Sequence, residues 1–120
     1  MRFMQEFGGT IKVGREEAFQ RWLADNEERL AAAYPEGTRY MGTYVTVYSS
    51  EKRTGGWRTF VEFDNYGDMD RIAEASRSSN ELGRLWQEAS AHFDLDLQAP
   101  WHNGLYKRAV GATIWDPKQK

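Results

Sequence analysis

The chain has 120 residues, a formal net charge of −2 and no cysteine. This length provides one domain with one core, and the lack of cysteine excludes disulfides, thiol nucleophiles and Cys-ligated metals. The charge offers no basic patch for nucleic acid, no apolar run approaches the roughly 20 residues of a membrane span, and no signal-peptide pattern is present. We therefore expect a cytoplasmic protein that binds neither nucleic acid nor membranes.

Aromatic side chains are frequent: they form 14% of the chain, including five Trp and six Tyr. Hydrophobic residues (40%) and charged residues (28%) occur at the levels of an ordinary globular domain. One small core does not need so many rings. We therefore expect some aromatic surface to contact a ligand or a second subunit.

Two segments of different period open the chain. Residues 2–11 alternate apolar and polar side chains, which predicts a first strand, and Gly8 with Gly9 indicates a bulge or a close backbone approach. Residues 14–34 predict an amphipathic helix, which the Pro-Glu-Gly run at 35–37 ends. The apolar stripe of this helix consists of Phe19, Trp22, Leu23, Leu30 and Ala33.

Two further alternating segments predict a hairpin. Residues 38–49 form its first strand, and the polar stretch 49–56 forms its loop. One face of this strand is predicted to carry Met41, Thr43, Val45 and Val47, and the other Tyr40, Gly42, Tyr44, Thr46 and Tyr48. In the next strand one face carries Trp57, Thr59, Val61 and Phe63. This apolar face must be buried under a helix.

A helix in two pieces follows. The turn-forming run 64–67 ends the strand, and Asp68 is positioned to cap the next helix. The polar run 76–80 interrupts this helix and offers a fresh cap, after which residues 82–93 continue with helical spacing. A loop and a last strand over residues 105–115 complete the pattern.

The element order predicts an α+β fold, the ferredoxin-like βαββαβ sandwich, with helices on one face of an antiparallel sheet. We expect one domain over residues 1–116 and a flexible tail over 117–120.

With this order the chain resembles the dimeric α+β barrel superfamily. The resemblance rests on the element order over residues 2–115, on the strand segment 60–63 running into a helix, and on the broken second helix ending near Phe93. Members include antibiotic-biosynthesis-type monooxygenases, lactone isomerases, polyketide cyclases and haem-degrading monooxygenases. The resemblance implies a homodimer whose sheets pack face to face, with ligands between each sheet and its own helices. The fold hosts unrelated chemistries and does not choose among them.

The predicted faces support a homodimer on physical grounds. If the helices cover the sheet face that carries Val45, Val61 and Phe63, the opposite face is open to solvent. This open face is predicted to carry Tyr40, Tyr44, Tyr48 and Phe60. Monomers rarely expose so broad an apolar patch, and a symmetric dimer covers it. The alternative is a monomer with a solvated, tyrosine-rich sheet.

The two histidines are candidates for chemistry. His92 lies near the end of the second helix, where it is either a base or ligand, or a structural residue at the helix C-terminus. His102 follows Trp101 on a loop, so both either line a pocket mouth or form a turn. Asp94 and Asp96 lie close to His92, but this short helix end does not predict a metal site.

The resemblance to haem-degrading members gives His92 a further interpretation. Those enzymes have an axial histidine on the second helix, where His92 is similarly placed, and the resemblance implies that Trp86 would stand in for their helix tryptophan. They also use an asparagine in the first strand, where this chain offers Gln5 or Glu6. We expect no bound cofactor, and haem binding stays a less favoured alternative.

Three charged residues are predicted to share the face that carries the tyrosines: Glu6, Arg58 and Glu62. Charges at a dimer interface or in a cavity are costly unless they are paired. They are therefore either an ion-pair set or acid–base groups with shifted pKa values.

The sequence thus predicts a homodimer that binds a small hydrophobic or aromatic molecule. If it is an enzyme, the resemblance implies a cofactor-independent monooxygenase, isomerase or cyclase; the alternative is a non-catalytic binding or structural dimer. The catalytic candidates are His102, His92, Glu62 and Tyr44. The ligand-binding candidates are Glu6, Tyr40, Tyr48, Arg58, Phe60, Trp86 and Trp101.

Overall fold

The computed structural model describes residues 2–48, 56–95 and 102–108. Its strands are β1 (Phe3–Thr10), β2 (Thr38–Val45), β3 (Gly56–Phe63) and β4 (His102–Lys107). Its helices are α1 (Glu16–Ala33), α2 (Asp68–Arg77) and α3 (Glu81–Ala89), and a 3₁₀ turn (Ser90–His92) follows α3. The strands pair antiparallel in the order β2-β3-β1-β4. The predicted ferredoxin-like fold is confirmed.

Strand β3 forms the centre of the core. Trp57, Thr59, Val61 and Phe63 are all buried on the helix side, as their alternation predicts. From α1, Phe19 and Leu30 are 0% exposed and pack onto this layer. Complete burial of an apolar side chain of this size contributes about 1.5–3 kcal/mol, so these positions provide much of the stability.

Strand β2 departs from its predicted alternation at a β-bulge. Tyr40 pairs with Val61, but Gly42 pairs with the adjacent residue of β3, so Met41 is an extra residue. Gly42 has a φ of 127°, a conformation that glycine adopts without steric cost. The bulge turns Tyr40 to the helix side, where its ring lies 5.7 Å from that of Tyr34, and leaves Met41 46% exposed. The predicted faces of Tyr40 and Met41 were therefore wrong.

Of the two predicted helix caps, one is present in the structure and the other is not. The Asn80 side chain accepts a hydrogen bond from the Gly83 N–H at 3.0 Å, so the predicted cap of α3 is confirmed. The predicted Asp68 cap of α2 was wrong, because Asp68 is the first residue of that helix and caps no N–H within it. Its buried carboxylate accepts instead from Arg71 at 2.7 Å.

The two glycines of β1 lie in regular pairing. Gly8 pairs with Arg58 and Gly9 with Trp57 without a register shift, so the strand has no bulge there. The predicted close approach is confirmed at Gly8, where an added Cβ would collide with the Trp57 carbonyl oxygen.

We predict that Gly8→Ala lowers the free energy of unfolding by about 1–3 kcal/mol, because backbone atoms of β3 cannot yield to the new methyl group. Urea unfolding followed by circular dichroism measures this change. The control is Gly67→Ala, since Gly67 has a φ of −65° and open space around its Cβ position. Equal stability of the two variants would contradict the close approach.

Candidate functional site

A cavity of about 400 Å³ lies between the sheet and the α2–α3 layer. It lies on the helix side of the sheet, so the open sheet face does not contribute to it. The described residues that line it are Gln5, Phe7, Trp57, Ile72, Ala73, Ser76, Trp86, Ser90, Phe93, Leu95 and Asn103. Its volume is in the range of small-molecule sites.

Stacked aromatic rings form one wall of this cavity. The ring of Trp57 lies 5.2 Å from Trp86 at 26° and 4.5 Å from Phe93 at 15°. Phe7 meets Trp86 edge-on at 5.8 Å. These offset and edge contacts are favourable ring geometries, each worth about 0.5–1.5 kcal/mol beyond area burial. The wall is therefore ordered before any ligand arrives.

Short side chains on the helical side leave the space open. Ala73 and Ser76 come from α2, and Ser90 comes from the 3₁₀ turn. None of these side chains reaches across to the aromatic wall as a Leu or Phe would. The cavity thus arises where small residues of α2 and of the 3₁₀ turn line the same space as large rings from the sheet and from α3.

The polar atoms of the lining are few and neutral. Gln5 is 7% exposed, and its Nε2 donates to Asn103 Oδ1 at 3.1 Å. The hydroxyl of Ser76 donates to the Ile72 carbonyl at 2.9 Å, and that of Ser90 to the carbonyl of Gln87 at 2.6 Å. Of the described lining residues, none carries an ionisable side chain.

A buried hydrogen bond orients Trp86. Its indole N–H donates to the Tyr34 hydroxyl at 3.3 Å, and burial raises the pKa of Tyr34, which keeps that hydroxyl neutral. Tyr34 stacks on Tyr40, whose hydroxyl donates to Glu27 at 2.9 Å. Burial, followed by the bonded Glu27 carboxylate, raises the pKa of Tyr40. These contacts link α1 and β2 to the cavity wall.

Of the predicted site residues that the structure describes, Trp86 alone lines this cavity. Glu6, Arg58 and Phe60 lie on the opposite face of the sheet, as predicted, together with Glu62 and Tyr44. Arg58 Nε lies 3.8 Å from Glu6 Oε2, and Glu62 accepts from Arg39 at 2.8 Å. Tyr44 meets Phe60 edge-on at 5.5 Å.

The remaining tyrosines and the 101–102 segment lie elsewhere. Tyr40 faces the helices because of the bulge, and Tyr48 lies beyond the end of β2, 83% exposed. Trp101 and the side chain of His102 lie outside the described residues, although the His102 backbone pairs with Gly8.

His92 is buried in the 3₁₀ turn and does not line the cavity. Arg15 Nη2 lies 3.2 Å from His92 Nδ1, and since arginine only donates, the imidazole accepts there. The ring packs on Phe19 at 6.1 Å. Burial, and secondly the charge of Arg15, lower the pKa of His92. The residues therefore do not fit an axial haem ligand directed into this cavity.

Sequence patterns do not identify most of the residues that line the cavity. The available signal is Gln5, a polar residue between Phe3 and Phe7 at inward positions of β1. Trp57 is predicted to be buried, but alternation does not distinguish a ring in a filled core from a ring beside a cavity. Asn103 lies in β4, which begins earlier than the predicted last strand.

Neither a metal cluster nor a membrane-crossing helix occurs in the part of the chain that the structure describes. No group of three or more His, Asp or Glu side chains within it could hold a metal ion. Asp96, the second of the two acidic residues that closely follow His92, is outside that part. No described helix is both long and apolar enough to cross a membrane.

Comparison with known proteins identifies the fold. A NIPSNAP family protein from Agrobacterium tumefaciens has a TM-score of 0.66 at 10% identity, with 98% of each chain covered. An uncharacterised NIPSNAP domain protein from Burkholderia xenovorans has a TM-score of 0.66 at 11% identity, covering 94% of this chain and 99% of that one. A protein from Nitrosomonas europaea assigned as an antibiotic biosynthesis monooxygenase has a TM-score of 0.55 at 13% identity, covering 90% and 98%.

These likenesses show a shared fold. They confirm at the level of fold the resemblance to the dimeric α+β barrel superfamily. No family model matches the chain, and no curated protein matches it. A shared fold does not specify the chemistry of this chain, which depends on the residues that line the cavity.

We predict that His92 makes stability depend on pH. Its pKa is lowered in the fold, so below about pH 6.5 the unfolded chain binds a proton that the folded chain does not bind. The contribution of His92 to the free energy of unfolding is therefore complete above that pH and decreases as the pH falls toward the folded pKa.

Urea unfolding at about pH 7.5 and about pH 5.5 tests this, because the two values bracket the ordinary histidine pKa. The comparison variant is His92→Asn, whose side-chain oxygen can accept from Arg15 without titrating. The native protein should lose more stability on acidification than the variant. If the stability of the native protein and that of the variant depended on pH in the same way, His92 would not be the cause of the pH dependence.

Proposed function

We propose that this protein binds a small, flat, largely apolar aromatic molecule in the cavity between the sheet and α2–α3. The observation that carries the proposal is the ordered stack of Trp57, Trp86 and Phe93 beside open space of about 400 Å³, in which Trp86, the partly buried ring of the three, supplies the surface that a ligand can contact. A flat ring system placed against this wall extends its stacking and removes apolar surface from water.

The lining favours a ligand without net charge. A carboxylate or ammonium group that enters the cavity loses its hydration shell, and the described lining offers it no opposite charge. The neutral polar atoms of Gln5, Asn103 and the two serines can instead orient one small polar substituent. The expected ligand is thus an aromatic body with one neutral polar group.

Binding is supported more directly than catalysis. The described lining has no acid, base or thiol, and its two serine hydroxyls have no histidine among the described lining residues. A cofactor-independent oxygenase, isomerase or cyclase reaction in this cavity would take its reactivity from the substrate and its orientation from the rings.

The open sheet face supports a homodimer. Tyr44 and Tyr106 are 57% and 48% exposed there, beside the partly buried Phe60. The Glu6–Arg58 pair on the same face supplies both signs of charge, so a copy related by a two-fold axis can meet each sign with its opposite. A second copy of this chain is therefore the occupant we propose for this face.

We predict that Ala73→Phe weakens binding of 2-naphthol, a bicyclic probe of the cavity, by at least about tenfold. The new ring occupies the space in front of the aromatic wall without removing any ring from it. Equilibrium dialysis measures the affinity, and a thermal melt verifies folding.

The matched control is Glu74→Phe, at the next position of α2, which is exposed and outside the cavity. This variant should bind 2-naphthol like the native protein. Failure of the native protein to bind the probe, or equal binding by the Ala73 variant, would refute the proposed site.

We predict that Tyr44→Asp raises the dimer dissociation constant by at least about tenfold, since each copy then buries a carboxylate in place of a ring. Sedimentation velocity at several protein concentrations measures the equilibrium. The control is Val13→Asp, because Val13 is 93% exposed and lies outside the sheet. A native protein that sediments as a monomer throughout would refute the dimer.

A further inference from the structure

We propose that Gln5 is a specificity-determining residue that selects ligands carrying a neutral hydrogen-bond donor, namely aromatic alcohols of the phenol type. This inference rests on the proposed function, because it assigns the polar group of the molecule that the aromatic cavity binds. It makes a claim of its own, since an aromatic cavity by itself does not distinguish a hydroxyl from an ether or a hydrogen.

The amide of Gln5 is buried with one polar atom unused. Gln5 lies on the helix side of β1 and lines the cavity with 7% exposure. Its Nε2 donates to Asn103 Oδ1 at 3.1 Å. Its Oε1 is buried and has no hydrogen-bond partner among the residues that the structure describes.

A buried amide oxygen without a donor is costly. Such an atom loses its hydrogen bonds to water on folding, at a cost of about 1–3 kcal/mol, and most buried polar atoms have a partner. Asn103 holds the Gln5 amide from one side. Because Oε1 is buried, a ligand group reaches it when the Gln5 side chain turns toward the cavity that it lines; a group that donates to Oε1 then recovers this lost interaction, whereas a group that only accepts does not.

The serines of the lining point to the same ligand chemistry. Each serine hydroxyl has one proton, and those of Ser76 and Ser90 are donated to helix carbonyls at 2.9 Å and 2.6 Å. Both hydroxyls therefore present lone pairs rather than protons to any neighbour. Gln5 Oε1 and the two serine oxygens can therefore only accept hydrogen bonds from a ligand, so the ligand must carry the donor.

The charge of the lining excludes stronger donors and anions. An ammonium group donates well but needs a nearby carboxylate, and a carboxylate ligand needs a cation; the described lining has neither. A neutral hydroxyl on an aromatic ring satisfies the buried acceptor without bringing a charge into the cavity. The phenol-type alcohol is therefore the class that fits best.

The test compares four probes of one scaffold with the native protein: naphthalene, 2-methoxynaphthalene, 2-naphthol and 2-naphthoate. The methoxy compound accepts hydrogen bonds but cannot donate them, and the naphthoate is charged. Equilibrium dialysis should show 2-naphthol binding about three- to tenfold tighter than naphthalene and 2-methoxynaphthalene, which is the range of one neutral hydrogen bond. The naphthoate should bind most weakly.

The variant Gln5→Met removes the acceptor and keeps the length of the side chain. In this variant the affinity for 2-naphthol should fall to that for 2-methoxynaphthalene, so that the preference of about three- to tenfold for the hydroxyl is lost. The matched control is Gln20→Met, the same substitution at an exposed position of α1. Folding should persist, because Met removes a buried oxygen without a partner and exposed Asn103 can bond to water.

The outcomes separate this inference from the proposed function. If all three neutral probes bind equally, or the methoxy compound matches 2-naphthol, the donor rule fails while the aromatic cavity stands. If 2-naphthol keeps its advantage in Gln5→Met, another group selects the hydroxyl and the role of Gln5 is refuted. If no probe binds the native protein, the proposed function itself fails.

Discussion

The packing of Trp57 between Trp86 and Phe93 is the contact on which both the core and the cavity depend. Trp57 belongs to the central strand β3 and is 1% exposed, while its two neighbours come from α3 and from the segment after the 3₁₀ turn. The same three rings therefore join the helical layer to the sheet, and Trp86, the partly buried one, also lines the proposed ligand site. Any change that tilts one ring alters stability and the cavity together.

Local pattern predicts most strands and helices of this chain, but it does not locate the candidate cavity. The alternation in β3, the apolar stripe of α1 and the cap at Asn80 depend on neighbours in sequence, so they can be derived from it. The bulge at Met41 cannot be derived in this way. The alternation of side chains along β2 continues through it in the sequence, while the pairing of β2 with β3 shifts by one residue. That one residue reversed the predicted face of Tyr40.

The cavity lies beyond sequence reasoning for a different reason. It exists because Ala73, Ser76 and Ser90 face the aromatic wall, and these residues come from two separate elements. Small residues on a helix are unremarkable until their opposite layer is known. The charged candidates of the sequence analysis drew attention to the other face, where Glu6 pairs with Arg58 and Glu62 with Arg39.

The two faces of the sheet thus divide the polar chemistry of the protein. Charged pairs and exposed tyrosines lie on the open face, where a second copy or water can solvate them. The helix side keeps a neutral cavity in which Gln5 supplies a buried acceptor and Trp86 is held by Tyr34. Since Tyr34 in turn stacks on Tyr40, which the bulge turned inward, the irregularity in β2 is part of what orients the ligand-facing ring. In the proposed site, selectivity would therefore depend on a bulge at the edge of the sheet as well as on the residues that line the cavity.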